Sequence, residues 1–193
     1  MIRSLKKTLL SQNLESPKWS PAKVEVPGCE LRHYEAGMWA STVIQETEIE
    51  KTVPVTCLVQ PGTTEYKVSF FVPKKHQNSP PEPTDPEVFL ELRKGAAIFV
   101  RSFGGFASVE KFSKEAKALA DTLQKEGQSF HSDFYYTAGY NHPFTLFNRH
   151  NEVWYFKKEE IEDGKELSWE NRQTSSLMHI VNNTWASTSL PPT

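Results

Sequence analysis

The sequence predicts a single α+β domain in which a β-sheet packs against a helix. Its length of 193 residues suits one domain. Short β-rich segments separated by turn signals occur in both halves of the chain, and residues 108–127 carry apolar side chains at helical spacing. Between the halves, residues 78–86 contain four prolines and predict an extended surface connection.

The first half contains three β-rich stretches. Residues 29–43 alternate in two runs, which predicts a hairpin that turns at residues 36–37 (Ala-Gly). Residues 52–59 and 66–73 predict two more strands, because residues 60–62 between them (Gln-Pro-Gly) are a strong turn signal.

The second half combines strands with the helix. Ser108 can cap the N-terminus of this helix, and Gly127 can end it. The apolar stripe that predicts the helix consists of Phe112, Ala116, Leu119, Ala120 and Leu123. The strands of this half are predicted at residues 88–93, 96–103, 133–140 and 152–157.

Composition narrows the class of function. Lys and Arg total 22 against 24 Asp and Glu, so the net charge of −2 gives no general attraction to nucleic acid or to an anionic membrane. Cys29 and Cys57 lack the spacing of a zinc site or of covalent heme attachment, and free cysteines fit a reducing compartment. The sequence has no nucleophile elbow, P-loop or H-E-x-x-H motif, so we predict that the protein is not an enzyme.

Two terminal segments flank the predicted domain. Residues 1–28 predict a lead-in, residues 29–158 the domain, and residues 159–193 a disordered tail, because the tail is polar without sustained periodicity. Residues 1–13 contain three basic residues, no acid and near-helical apolar spacing, which fits a mitochondrial transit segment or an ordinary helix. No apolar run approaches the roughly 18 residues of a membrane span. We therefore predict a cytoplasmic protein, with mitochondrial association as the alternative.

Five strings of the sequence occur together, in this order, in one known family. They are ELRHYEAGMWASTV (30–43), NSPPEPTDPEVF (78–89), FVRSFGGFAS (99–108), YYTAGYN (135–141) and NRHNEVWYF (148–156). The set resembles the SOUL/heme-binding protein family, and more closely its SOUL branch. Because the strings extend over most of residues 30–158, this resemblance is far more specific than a short motif.

The resemblance implies a twisted antiparallel β-sheet, or distorted β-barrel, of eight strands in two similar halves, each flanked by a helix. This sequence departs from that pattern in its first half. In the family a long amphipathic helix precedes a strand that is represented here by residues 52–55, but only residues 44–51 remain for that helix. We therefore predict that the first-half helix is absent and that the apolar area it covers is exposed, at roughly 25 cal/mol per Å².

The resemblance also implies non-covalent, non-catalytic binding of heme b or a related porphyrin in an apolar groove, as a tetrapyrrole carrier, buffer or sensor. His33 occupies the place of the histidine that is proposed as the axial ligand of heme iron in the SOUL branch. A strand histidine bonded to backbone is an equally weighted alternative for His33. The histidines His131, His142 and His150 lie in or beside turns and are predicted to be solvated.

Further contacts to a porphyrin follow from side-chain chemistry. Arg101 and Arg149 are predicted to bind heme propionates, with a surface ion pair as the alternative for each. Aromatic and thioether side chains in the matched strings are predicted to stack on the macrocycle, with ordinary core packing as the alternative. These side chains are Met38, Trp39, Phe103, Phe106 and Tyr135, the last with its neighbour Tyr136.

A second class of function rests on the helix. Residues 112–127 overlap the part of the SOUL branch that resembles a BH3-like motif, which implies contact with a Bcl-2-type protein and a role in mitochondrial permeability and cell death. The apolar stripe fits the anchors of such a helix, but the same stripe is expected of any helix packed on a sheet. If the helix is buried, it must detach before it can bind a partner.

Overall fold

The computed structural model describes residues 15–45, 55–141, 145 and 147–159, which form an antiparallel sheet of nine strands with one α-helix. The strands are β1 (Trp19–Ala22), β2 (Glu30–Tyr34), β3 (Gly37–Gln45), β4 (Val55–Val59), β5 (Glu65–Phe71), β6 (Val88–Arg93), β7 (Ala96–Gly104), β8 (Tyr135–Gly139) and β9 (His150–Phe156). The helix α1 spans Val109–Lys125. The strand order is β1-β2-β7-β9-β8-β4-β5-β3-β6, and the predicted α+β class with an antiparallel sheet is confirmed.

The hairpin predicted for residues 29–43 is wrong. β2 pairs with β1 and β7, whereas β3 pairs with β5 and β6. The β2–β7 and β3–β6 pairings share one continuous register, so residues 30–42 and 88–100 form one long two-stranded ribbon. The chain bends within this ribbon at residues 35–36, opposite residues 94–95, instead of turning back on itself.

The sheet curls strongly towards one of its faces. Arg93, at the end of β6, is separated from Tyr136 of β8 by three intervening strands. Its guanidinium nevertheless lies 5.0 Å from the Tyr136 ring and donates a hydrogen bond to Thr56 Oγ1 at 3.1 Å. We refer to the face that carries Tyr136 as the inner face, and to the opposite face, on which α1 packs, as the helix face.

The helix α1 begins and ends as predicted. The Ser108 side chain accepts a hydrogen bond from the Lys111 backbone N–H, and Gly127 takes a positive φ of 64° just beyond the last turn. Its apolar stripe packs on β7 and β9. The buried core on the helix face consists of Val26, Leu31, Phe99, Ala116, Leu119, Leu123, Phe130, Val153 and Tyr155.

A second core lies on the inner face. It consists of Leu58, Ile98, Val100, Phe134, Tyr136, Ala138 and Trp154. The two cores use alternate residues of the same strands: Phe99 and Val153 belong to the helix face, whereas Val100 and Trp154 belong to the inner face. The period-two pattern of the sequence therefore reflects a sheet that is covered on both faces in its second half.

The N-terminal lead-in differs from its prediction, and some other predictions fall on residues that the structure does not describe. The lead-in was not predicted to contain a strand, but β1 pairs with β2 in spite of Pro21. Such a proline is tolerated because β1 is an edge strand of the sheet. The predictions for residues 1–13, for residues 46–54, for His142 and for the tail from residue 160 lie outside the described residues. Among the described residues, no helix has the length and apolarity needed to span a membrane.

Candidate functional site

An apolar surface extends over the helix face of the first-half strands. Its side chains lie opposite one another in cross-strand rows. One row contains Gly139, Val55, Phe70, Ala40 and Leu90; the next contains Thr137, Cys57, Val68, Thr42 and Val88; Met38 and Leu92 form a further pair. We call these residues the first-half face. With strands about 4.8 Å apart, a row of five strands is about 19 Å wide.

The first-half face has room at two places. Leu92 is 46% exposed on β6, although it is a large apolar side chain. A methyl group added to Gly139 would meet no atom within 4 Å, so the surface above this glycine is open. The helix α1 packs on β7 and β9, which precede β8 in the strand order, whereas the first-half face lies on β8 and the strands that follow it.

The chemistry of the first-half face is that of an apolar surface. No charged residue occurs in its rows. Burial raises the pKa of the Cys57 thiol to about 11, so the thiol stays protonated at neutral pH and behaves as a small apolar group. This surface can hold a flat apolar molecule, but it presents no ionised ligand to a metal.

Two of the predicted contact residues meet at a different place, where β7 leads into α1. The Arg149 guanidinium lies 4.4 Å from the centre of the Phe106 ring. Nearby, the Phe103 ring packs edge-on against Phe112 of α1 at 5.3 Å. Two connections meet here, the one from β7 to α1 and the one from β8 to β9. Asn151 of β9 links them, because its Nδ2 donates to the Gly105 carbonyl at 2.9 Å.

The other predicted contact residues are dispersed over the sheet. His33 is exposed on β2, between Ser20 of β1 and Ala97 of β7. Trp39 is buried on the inner face, with the Arg93 guanidinium 4.2 Å above its ring. The assignments of these residues to a porphyrin site remain predictions. His33 is exposed, whereas ligation of heme iron calls for an imidazole that points into an apolar slot.

Arg101 and Tyr135 both lie close to α1. Arg101 Nε lies 2.7 Å from a carboxylate oxygen of Glu115, so this arginine forms an ion pair between β7 and the helix. The Tyr135 ring lies 5.9 Å from that of Tyr155. The eight residues predicted from the sequence therefore do not form one site: Met38 belongs to the first-half face, Phe103, Phe106 and Arg149 lie together, and the other four are separate.

A buried polar network on the inner face was not predicted from the sequence. Glu152 is 1% exposed, and its carboxylate accepts hydrogen bonds from Arg32, Tyr140 and Trp154 at 3.0, 2.7 and 2.8 Å. His150 Nε2 lies 2.8 Å from the same carboxylate. The interpretation of His150 as a solvated turn histidine is therefore wrong, because His150 begins β9 and faces the interior. The alternation of His150, Glu152 and Trp154 in the sequence was the signal for this shared face.

The network keeps Glu152 ionised. Burial alone would raise the pKa of this carboxyl, but the hydrogen bond from His150 and the charge of Arg32 outweigh burial and lower the pKa to about 2. Burial and the negative charge of Glu152 raise the pKa of Tyr140 well above its usual range. The tyrosine therefore remains a hydrogen-bond donor to the carboxylate.

A second buried carboxylate lies at the other end of the inner face. Glu91 forms ion pairs with Lys67 at 2.8 Å and Arg93 at 2.7 Å, and accepts a hydrogen bond from Ser41 Oγ at 2.9 Å. Burial would raise the pKa of Glu91, but the charges of Arg93 and Lys67 lower it to about 2. In each of the two clusters, the donor groups bond to the carboxylate of that same cluster. The described part of the chain contains no group of three or more side chains placed to hold a metal ion.

Comparisons with known proteins identify the family. A sequence model described as SOUL heme-binding protein matches residues 43–156. Heme-binding protein 2 of Mus musculus is 35% identical over an alignment of 182 residues, which covers 77% of this chain and 89% of the relative. Heme-binding protein 2 of Homo sapiens is 34% identical over 183 residues, which cover 78% of this chain and 89% of the relative.

The mouse alignment also bears on the shortened first half. It is longer than the part of this chain that it covers, so the relative has residues within the aligned stretch that this chain lacks. A chain without the first-half helix is expected to align in this way. By the extent of the family match and the identity to both relatives, the chain belongs to the SOUL heme-binding protein family.

Proposed function

We propose that this protein binds heme b or a related porphyrin non-covalently on the first-half face, as a carrier, buffer or sensor without catalytic activity. Family membership supports a heme-type ligand, and the similar proteins of mouse and human are named heme-binding proteins. The position of the site on the molecule is inferred from the apolar surface of the first-half face.

The observation that carries the proposal is the breadth of apolar surface on adjacent strands. A macrocycle needs a flat apolar area, and ligand sites in proteins are mostly lined by apolar and aromatic side chains. The row from Gly139 through Phe70 to Leu90 supplies such an area without charged groups. The open space over Gly139 and the exposed Leu92 mark where a ligand can gain contact.

Ligation of iron by His33 is a separate part of the proposal. His33 is exposed and lies on β2, whereas the first-half face lies on β3 to β6 and β8. We therefore expect the porphyrin to bind through apolar contact, with no requirement for His33. The variant His33→Ala distinguishes the two cases, because its Soret band is retained under apolar binding and is shifted or lost if His33 ligates the iron.

A titration with hemin tests the position of the site. Leu92→Glu places a carboxylate on the first-half face, and the Soret titration should show a dissociation constant at least about tenfold higher, because a charge would be buried against the ligand. Val43→Glu is the matched control: Val43 is 48% exposed, close to the 46% of Leu92, but it lies on the inner face. Equal affinities for Leu92→Glu and the native protein would contradict the position proposed here.

The interaction role of the helix has less support from the geometry. Ala116, Leu119 and Leu123 of the BH3-like stripe are almost fully buried in the core of the helix face. A Bcl-2-type partner could engage residues 112–127 only after α1 had left the sheet. We therefore place this role second, together with a mitochondrial association, and propose a cytoplasmic tetrapyrrole-binding protein first.

A further inference from the structure

Three apolar side chains project into solvent around the start of α1. Phe106 is 60% exposed, Val109 is 71% exposed and Phe147 is 80% exposed, the highest values among the large apolar side chains of the described residues. Together with Arg149 we call them the junction patch. The Arg149–Phe106 contact brings the connection before α1 next to the connection before β9, and exposed apolar side chains that lie near one another mark a surface that contacts something else.

Hydrogen bonds hold the two connections that carry the patch. Asn151 Nδ2 donates to the Gly105 carbonyl at 2.9 Å, and Lys111 Nζ donates to the Gly104 carbonyl at 2.7 Å. In the connection that leads into β9, Arg149 donates to the Thr145 carbonyl at 2.8 Å. The contact of Arg149 with the Phe106 ring links the connections. These bonds hold the backbone of the two glycines that precede Phe106 and link Arg149 to Thr145.

The charged side chains beside the patch indicate the kind of surface that it would contact. Arg149 and Lys111 lie at its border, and Glu110 is the acidic residue next to Val109. The pKa of Glu110 is lowered by its hydrogen bond with Ser108, so this carboxylate is ionised at neutral pH. Two cations against one anion leave a local positive charge, although the whole chain has a net charge of −2. Aromatic and aliphatic tips bordered by cations are the chemistry that enters the interface of an anionic bilayer.

We propose that the junction patch docks this protein onto the surface of anionic lipid bilayers, with Phe106, Val109 and Phe147 entering the interface and Arg149 and Lys111 meeting the lipid headgroups. The proposal is independent of the porphyrin site, because the first-half face shares no residue with the patch. It involves adsorption to one leaflet and no membrane span.

Co-sedimentation with vesicles tests this docking. The full chain should bind vesicles of phosphatidylcholine mixed with phosphatidylserine more tightly than vesicles of phosphatidylcholine alone, and added salt should weaken the binding. Phe147→Ser should lower the partition coefficient about tenfold, and Arg149→Ala about fivefold, because apolar insertion and headgroup attraction contribute separately.

A pair of valines provides the matched control. Val109→Ser and Val43→Ser make the same chemical change at two exposed sites, but only Val109 belongs to the patch. We expect Val109→Ser to weaken vesicle binding and Val43→Ser to leave it unchanged. Far-ultraviolet circular dichroism of each variant establishes that the fold is intact.

Three results would overturn the proposal. They are a native protein that stays in the supernatant with phosphatidylserine vesicles at low salt, an equal loss of binding in both valine variants, and a Phe147→Ser protein that binds as well as the native one. Sedimentation velocity without vesicles checks the competing occupant: if the native chain self-associates and Phe147→Ser abolishes that association, the patch is a contact between copies and the lipid assignment is wrong.

Discussion

Among single side chains, Glu152 shows most clearly how the inner face tolerates charge. A carboxylate withdrawn from water needs several donors, and here Arg32, Tyr140, Trp154 and His150 surround it. A buried ion pair gives little net stability compared with an apolar pair, but the loss of one partner is expensive because the other charge remains buried. Arg32 is itself almost fully buried, so it depends on Glu152.

The depressed pKa values predict a defined acid lability. The pKa values of Glu91 and Glu152 are about 2 in the folded protein against 4.5 for the free side chain, so between these pH values the unfolded chain binds more protons. Stability is therefore present above pH 4.5 and falls as the pH drops towards 2, by on the order of 3 kcal/mol for each carboxylate. Urea unfolding at a series of pH values measures this fall.

Glu152→Gln tests the assignment to this residue. It should lower the free energy of unfolding at pH 7 by about 3–5 kcal/mol, because Arg32 loses its buried counter-charge, and it should flatten the acid limb of the profile. Glu115→Gln is the comparison, since it removes the charge from the less buried Arg101 ion pair. A Glu152→Gln profile that keeps the full acid limb would show that the carboxylate is not the responsible group.

Sequence patterns did not show which side chains meet, for a physical reason. The contact between Phe106 and Arg149 was not predicted from the sequence, because it depends on the pairing of β7 with β9, which brings their two connections together. The patterns did not show that Trp39 faces the interior while Met38 faces outwards, because a face is defined only once strand partners are known. The Glu152 network joins β2, β8 and β9, and such contacts between distant segments leave no local spacing in the sequence.

Among the strands and the helix, local signals succeeded where the structure is local. Ser108, the apolar stripe and Gly127 fixed both ends of α1, since a helix bonds within its own segment. The hairpin prediction failed because alternation identifies an extended segment but not its partner. Most of residues 29–43 are extended both in the prediction and in the structure. However, β2 and β3 pair with strands in separate parts of the sheet and not with each other.

The bend in the long ribbon predicts a sensitive glycine. A Cβ atom at Gly95 would lie 2.9 Å from the Tyr34 carbonyl oxygen and 3.5 Å from the Ala36 nitrogen, so the backbone would have to shift. Gly95→Ala should lower the free energy of unfolding by about 1–3 kcal/mol. Gly139→Ala is the matched strand substitution into open space, and we expect a change within about 0.5 kcal/mol. Equal effects in chemical denaturation would exclude a special constraint at the bend.

For the chain as a whole, α1 packs on β7 and β9 and leaves apolar area of the first-half face, such as Leu92, exposed. A porphyrin on that surface would bind the folded state in preference to the unfolded chain. At hemin concentrations about one hundred times the dissociation constant, this linkage adds about 2.7 kcal/mol. The melting temperature followed by circular dichroism should then rise by roughly 5–10 °C.

The variant Leu92→Glu should show a smaller rise at the same hemin concentration, because its weaker binding reduces the linkage. Val43→Glu should show the rise of the native protein. An unchanged melting temperature under conditions that saturate the Soret band would mean that hemin binds folded and unfolded chains alike, which is adsorption without a formed site.

The continuous ribbon also determines what each half of the molecule can do without the other. β2 and β3 come from the N-terminal half, yet their partners β7 and β6 come from the C-terminal half, and β4 likewise pairs with β8. Cleavage within residues 78–86 would thus leave two fragments that still interlock through three strand pairs. In either fragment synthesised by itself, three strands would lack a partner that they have in the whole chain, namely β2, β3 and β4 in one fragment and β6, β7 and β8 in the other. The apparent repeat is therefore not a pair of autonomous modules.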